Sequence, residues 1–236
     1  MTTYVLRHGP TATSRRYLVN GDPAVSLPLD EHGVEACRQA ALQFPPGLVR
    51  TWLSSEFPRA RQTASLLADA LADVAIDWRL NELDYGDFEG HPFTEYAHWL
   101  REHGCDRRPP GSSESQREAM RRMVGGAAAA LLRPAPRVVV CHGLLFSLIG
   151  WTMRPRPAAE SLPLFYAEAP YVEALAVPDN VMKVLLGQLR QRLNDDPAGA
   201  RSRSATLVVS GPDGAPQLAS VDRAIQPTET KDTSHA

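Results

Sequence analysis

Five residues of this chain carry side chains that could do chemistry together: Arg7, His8, Arg59, Glu82 and His142. Arg7 and His8 close the apolar run Tyr4-Val5-Leu6, and Gly9-Pro10 turns the chain after them. A buried strand that presents two polar side chains at the carboxyl edge of a sheet looks like this, and that edge is where ligands of α/β proteins sit. Val138-Val139-Val140-Cys141-His142-Gly143 repeats the pattern late in the chain. If the two strands are parallel neighbours, His8 and His142 stand side by side despite their separation in sequence.

Two guanidiniums, two imidazoles and one carboxylate suit phosphate esters. A phosphate monoester is close to dianionic at neutral pH and repels nucleophiles until fixed cations cancel its charge. Arginine forks do this by binding phosphate oxygens in pairs. An imidazole among arginines has a depressed pKa, because protonation adds like charge. His8 is then neutral near pH 7, with one ring nitrogen free to attack phosphorus. Glu82 is the carboxyl group placed to protonate the departing alkoxide and then to activate water. His142 donates to the phosphoryl oxygens as charge builds.

The elements that must position these groups follow a strand–helix alternation. After the first strand, residues 12–28 form a long polar loop containing Arg15, Arg16 and Asn20. A loop of that length in a compact domain is functional or mobile; Arg15, Arg16 and Asn20 read as solvated loop residues with contact to a substrate phosphate as the alternative, and Asn20 is carried as a binding candidate. Asp30 caps a helix with Val34, Cys37, Ala41 and Phe44 on one face. Residues 49–54 read as a second strand, and a helix follows with Pro58 in its first turn and Ala60, Ala64, Leu67 and Leu71 toward the core. Arg59 falls in that first turn, where its charge and the helix dipole act on the same anion.

A third strand is expected over 74–80, running into the acidic, glycine-punctuated loop 81–90 that carries Glu82. A helix over 92–102 and a capping box at Ser115–Glu118 come next, the latter opening a helix to about Leu132. The strand ending in His142 leads into a helix to about Met153. Beyond it the pattern loosens, with a capped amphipathic helix over 179–193 and a hairpin of 206–210 and 217–221 around Gly211-Pro212-Asp213-Gly214. The polar tail 226–236 reads as disordered.

Length and charge bound the rest. The 236 residues fit one α/β domain, taken here as 1–225, and a net charge of −2 with mixed signs points to neither nucleic acid nor an anionic membrane as partner. Cys37, Cys105 and Cys141 form no C-x-x-C pair, so neither a disulfide framework nor a zinc knuckle is expected, and Cys141 reads as a core residue. His91, His98 and His103 do not share one helical face as a metal triad would. No signal peptide or membrane-spanning run is read, and a cytoplasmic protein is expected.

These motifs together resemble the histidine phosphatase superfamily, the phosphoglycerate mutase-like family. Leu6-Arg7-His8-Gly9-Pro10-Thr11 is similar to its signature, and Ser55-Glu56-Phe57-Pro58-Arg59-Ala60 to its second arginine motif. Leu80-Asn81-Glu82 with Tyr85-Gly86 and Phe88-Glu89-Gly90 resembles its acid-donor loop, Gly111 to Glu114-Ser115 its Gly-Glu-Ser helix start, and Val140-Cys141-His142-Gly143 its second histidine. The resemblance implies a three-layer α/β/α sandwich around a largely parallel sheet. It implies His8 as the phosphorylated nucleophile, Arg7, Arg59 and His142 as the phosphate pocket, Glu82 as general acid and base, and no metal or other cofactor.

Thr11 and Asn20 join as substrate contacts; Glu114 either lines the pocket or serves its helix terminus. The chain departs from the pattern at Pro10, Phe88, Ser113 and Leu144-Leu145-Phe146, and residues 153–203 read as a lid-like insertion before the last strands. Trp151, Phe165, Tyr166 and Tyr171 read as a packed lid or dimer contact, with the lining of an apolar substrate pocket as the alternative, and a homodimer is left open. The expected function is a metal-independent phosphomonoesterase acting on a sugar-, cyclitol- or nucleoside-phosphate type of metabolite. A phosphoglycerate-type mutase and a non-catalytic phosphate-binding module are the alternatives.

Overall fold

The computed structural model describes residues 1–69, 72–155, 157, 160–195, 207–210 and 216–219. A five-stranded sheet runs through its centre. In chain order its strands are β1 (Thr2–Arg7), β2 (Thr51–Ser54), β3 (Val74–Ile76), β4 (Arg137–Cys141) and β5 (Leu175–Pro178), and across the sheet the order is β3-β2-β4-β1-β5. The first four are parallel and β5 runs antiparallel against β1. Six helices flank them: α1 (Glu31–Ala41), α2 (Pro58–Leu67), α3 (Phe93–His103), α4 (Gln116–Ala130), α5 (Gly143–Thr152) and α6 (Asp179–Asp195).

Side chains alternate across a strand, and the two faces of this sheet feed separate cores. Val5, Leu53 and Val139 pack with α4, α5 and α6, whereas Leu6, Trp52, Val138 and Val140 pack with α1 and α2. The result is the three-layer sandwich expected from the sequence. β4 is buried along its whole length and sits between β1 and β2, which explains its uninterrupted apolar run.

Local signals act as read. The Asp30 carboxylate accepts from Gly33 N at 2.9 Å and caps α1. Ser115 and Glu118 cap α4 reciprocally, an arrangement whose loss costs about 1 kcal/mol. Gly9 permits a close approach: a Cβ there would lie 2.8 Å from Cys37 Sγ and 3.1 Å from the Gly33 carbonyl, so the turn after β1 can nestle against α1.

Two expectations are corrected. The strand expected over 74–80 stops at Ile76, because the Asp77 carboxylate accepts from Arg79 N and starts a 3-10 turn over Trp78–Leu80. The stretch 153–203, read as a lid-like insertion, contributes β5 to the sheet and α6 to the core, with Leu185, Leu186, Leu189 and Leu193 of α6 buried. Of its described residues, those at 164–169 line the site. The hairpin is present as β6 (Leu207–Ser210) and β7 (Pro216–Ala219), paired antiparallel; its turn and the tail 226–236 lie outside the described residues, as does Leu71. Among the described residues, no helix is long and apolar enough to cross a membrane.

Candidate active site

The register of β1 against β4 pairs Arg7 with Cys141, so the next residue on each strand is a histidine. His8 N–H donates to the Cys141 carbonyl at 3.0 Å, and the two imidazole centroids are 5.1 Å apart. Both rings are buried, His8 at 3% exposure and His142 fully. His8 Nδ1 lies 2.6 Å from the Gly9 carbonyl, which can only accept, so Nδ1 carries the proton. Nε2 is then the lone-pair nitrogen, and it accepts from Arg59 Nε at 3.0 Å. Burial, reinforced by Arg59 and Arg7, holds the His8 pKa well below 6.5. His142 is depressed in the same way, by burial first and then by Arg59 and His8.

Arg59 stands in the first turn of α2 behind Pro58, stacked 4.3 Å over the Phe57 ring. It binds both sides of the pair: beyond His8, its Nη2 lies 3.3 Å from His142 Nδ1 and 3.0 Å from the Asn20 carbonyl, and its Nη1 donates to Asn20 Oδ1. Ser55 Oγ sits 2.8 Å from His142 Nε2. With Arg59 facing Nδ1, the consistent tautomer has His142 Nε2–H donating to Ser55. Burial pulls Arg59 down to about 10, still protonated throughout the neutral range.

Arg7 reaches the other way. Its Nη1 donates to the Ala169 carbonyl at 2.7 Å and to Glu168 at 3.3 Å, and its Nη2 donates to the Tyr171 hydroxyl at 2.8 Å. Its Nε is buried without a hydrogen-bond partner among the described residues, near Gly143 at the N-terminus of α5. Glu82 completes the cluster. Burial raises its pKa above 4.5, opposed by the Leu83 N–H at 3.0 Å and by Arg59, Arg7 and Arg122.

Arg7, His8, Arg59 and Glu82 line one cavity of about 220 Å³, with Thr11 and Asn20 in the same wall. Thr11 exchanges hydrogen bonds with Ser14. Glu114 is elsewhere: it lines a neighbouring cleft and forms a paired bond with Arg122, at 2.9 and 2.5 Å, rather than facing His8. Arg122 also binds the carbonyls of Arg79, Asn81 and Glu82, so Glu114 acts on the site by anchoring the Glu82 loop. Ser113 finds its purpose there too, donating from backbone and side chain to Asp84 at 2.7 Å.

Arg15 pairs with Asp30 and lies outside the cavity. Cys141 is buried and its thiol is pushed up by burial, as suits a core residue. Phe165 and Tyr166, expected in a packed lid or dimer contact, line the cavity, while Tyr171 stacks on Arg7 at 3.8 Å.

Sequence reasoning missed Tyr171, Ser55, Arg122 and Glu89. The Glu89 carboxylate holds Asn20 through its amide and the Gly21 N–H at 2.7 Å. Ser55 opens the second arginine motif, Glu89 stands in the Phe88-Glu89-Gly90 punctuation and Tyr171 is among the aromatics of 153–203, but no spacing names the partner of any of the four.

Fold and site together define a histidine-centred anion pocket at the carboxyl edge of a mostly parallel α/β sheet. The chain belongs to the histidine phosphatase superfamily (branch 1), which matches residues 3–168. A curated relative named probable phosphoglycerate mutase GpmB, from Yersinia pestis, is 28% identical over 167 residues, 67% of this chain and 77% of its own. Among solved structures, the α-ribazole phosphatase of Shigella flexneri superposes with a TM-score of 0.59 at 21% identity, over 75% of this chain and 90% of that one. A mycobacterial glucosyl-3-phosphoglycerate phosphatase solved with VO3 gives a TM-score of 0.52 at 25% identity, over 62% and 78%.

Proposed function

We propose that this protein is a metal-independent phosphomonoesterase that hydrolyses a small phosphate ester through a phosphohistidine at His8. One observation carries the reading: a neutral His8, its proton fixed on Nδ1, places the Nε2 lone pair against Arg59 in a pocket it shares with Arg7 and Glu82, with His142 packed behind Arg59. A phosphate oxygen is a stronger acceptor for a guanidinium than an imidazole nitrogen is. Substrate therefore draws the Arg59 donors onto itself and releases Nε2. Nε2 forms a bond to phosphorus as the ester P–O bond breaks, and the leaving alkoxide takes the Glu82 proton. Water then attacks the phosphohistidine, giving its proton to the Glu82 carboxylate, and inorganic phosphate leaves. The net change is ester plus water to alcohol plus phosphate.

The Arg7 Nε–H, the Arg59 guanidinium and the α5 N-terminus supply the donors that neutralise the phosphoryl group. A cytoplasmic setting would suit the three cysteines, all of them free.

The mutase reading has a relative's name behind it, but the cavity disfavours it. A phosphoglycerate carries a carboxylate beyond its phosphate, and among the described residues the only cationic side chains lining the cavity are Arg7 and Arg59, both at the His8 end.

The test is phosphate release from a panel of primary phosphate esters with EDTA present, comparing wild type with His8→Ala. Turnover that survives chelation and falls at least ~10³-fold in the variant is expected. Turnover abolished by EDTA, or retained without His8, would sink the mechanism.

A further inference from the structure

We infer that the alcohol half of the substrate is a flat, largely apolar ring system bearing a hydrogen-bond donor, held between the apolar wall of the cavity and the side chains of Tyr96 and Gln116. The inference rests on the phosphomonoesterase reading and narrows it away from sugar and cyclitol phosphates.

The charges of the cavity belong to Arg7, Arg59, Glu82 and Glu168, with Glu168 tied to Arg7 at 3.3 Å. Away from them the lining turns apolar, with Leu18, Leu27, Phe93, Leu144, Leu164 and Phe165 prominent. A hexose phosphate brings several hydroxyls into such a space, and each that meets the leucine and phenylalanine side chains must surrender its water without a replacement partner. A ring system surrenders little and gains dispersion contacts with aromatic neighbours. Aromatic side chains abound there: Tyr96 lies edge-on to Tyr85 with centroids 4.9 Å apart and 6.1 Å from Phe93.

Several polar side chains interrupt the apolar wall, and two of them, Tyr96 and Gln116, are unmatched. Tyr96 is 1% exposed and Gln116 5%, and both line the cavity. The Gln116 amide nitrogen donates to the Leu164 carbonyl at 3.1 Å, and because that oxygen can only accept, the amide orientation is fixed. What is left over is Oε1, a pure acceptor. Neither Gln116 Oε1 nor the Tyr96 hydroxyl has a hydrogen-bond partner among the described residues. Burial raises the Tyr96 pKa, so the hydroxyl keeps its proton. Buried polar atoms are nearly always satisfied, and an unmatched pair facing a cavity calls for a ligand group or a bound water. An N–H or O–H on the ring edge meets Gln116, and the Tyr96 hydroxyl, able to donate or accept, adapts to its neighbour.

The experiment compares kcat/KM for three primary esters with matched leaving groups: 2-(indol-3-yl)ethyl phosphate, its N-methylindole analogue and glucose 6-phosphate. Wild type, Gln116→Leu and Tyr96→Phe are each assayed, the last removing a single atom so that folding is preserved. We expect the indole ester to exceed glucose 6-phosphate by about 100-fold and the N-methyl ester by about 10-fold, an unpaired buried acceptor being the cost. Either variant should compress the ratio of indole to N-methyl ester toward one.

Glucose 6-phosphate used as well as the indole ester overturns the inference. So does a ratio that neither variant moves, in which case the two polar groups hold water only. If no ester is hydrolysed, calorimetry of 2-(indol-3-yl)ethylphosphonate against methylphosphonate decides separately. Tighter binding of the indole compound by tenfold or more keeps the ring pocket while the hydrolase reading falls; equal affinities remove the pocket as well.

Discussion

The two walls that flank His8 are built in contrasting ways. On one side the Glu82 loop is bolted through Arg122, whose guanidinium takes the backbone carbonyls of Arg79, Asn81 and Glu82 and the Glu114 carboxylate, while Asp84 is held by Ser113 and the Gly86 N–H. On the other side the irregular stretch between α5 and β5 is tied by scattered contacts: Arg7 to the Ala169 carbonyl, Ser147 Oγ to the Ala167 carbonyl, Gln116 to the Leu164 carbonyl. The group asked to move a proton stands on the redundantly fixed wall. The residues that would meet the variable half of a substrate stand on the wall held from several different elements, by Arg7, Gln116, Ser147 and Arg192. A fold can thus hold its chemistry constant while its selectivity drifts.

The contrast can be broken from its rigid side first. Glu82→Gln removes the proton donor and should lower kcat by ~10²–10⁴-fold on esters with poor leaving groups. The pH profile sharpens the assignment. A depressed His8 keeps the nucleophile neutral until well below pH 6.5, so the acidic limb lies there; a raised Glu82 stays protonated above pH 4.5, and activity falls as rising pH strips that proton. The optimum therefore lies between the two limbs, and Glu82→Gln should abolish the alkaline decline while leaving the acidic limb. An unchanged alkaline limb would assign the acid to another group.

Arg122→Ala attacks the bolt itself. It strands Glu114, whose side chain is 15% exposed, and frees three carbonyls, so chemical denaturation should show a loss of about 3 kcal/mol and kcat a drop of ~10²-fold. A variant as active as wild type would mean that the loop holds its shape unaided. The opposite wall should yield more gently. Tyr171→Phe deletes one acceptor from Arg7, at 2.8 Å, yet keeps the stacked ring, and a rise of about fivefold in KM with kcat little changed is expected. A large fall in kcat instead would place Tyr171 in the reaction.

How much of this was legible in the sequence depended on whether a residue announced itself by local pattern. The two strand-His-Gly endings foretold the His8–His142 pair because parallel register follows from buried runs. Arg59 was found because Pro58 marks a helix start, and α4 because a capping box is local. The four residues of β5 were missed: Leu175-Ala176-Val177-Pro178 is too short to show alternation and ends in proline, which only an edge strand tolerates. Asn20 was singled out, but its hold on Arg59 and on Glu89 joins irregular segments far apart in sequence, and no periodicity encodes such a contact. Glu114 was noticed for the right motif and given the wrong neighbour, since nothing local reveals that Arg122, two turns along α4, would claim it.

The hydrogen bond between His8 Nδ1 and the Gly9 carbonyl fixes more than a tautomer. In the proposed mechanism it also decides regiochemistry: the phosphoryl group would be carried on the far nitrogen, giving the tele rather than the pros isomer of phosphohistidine. A phosphoramidate of that kind withstands alkali and breaks down in acid. Base-quenched turnover should therefore leave a trapped species with a single 31P resonance of the tele form, and acid quenching should erase it.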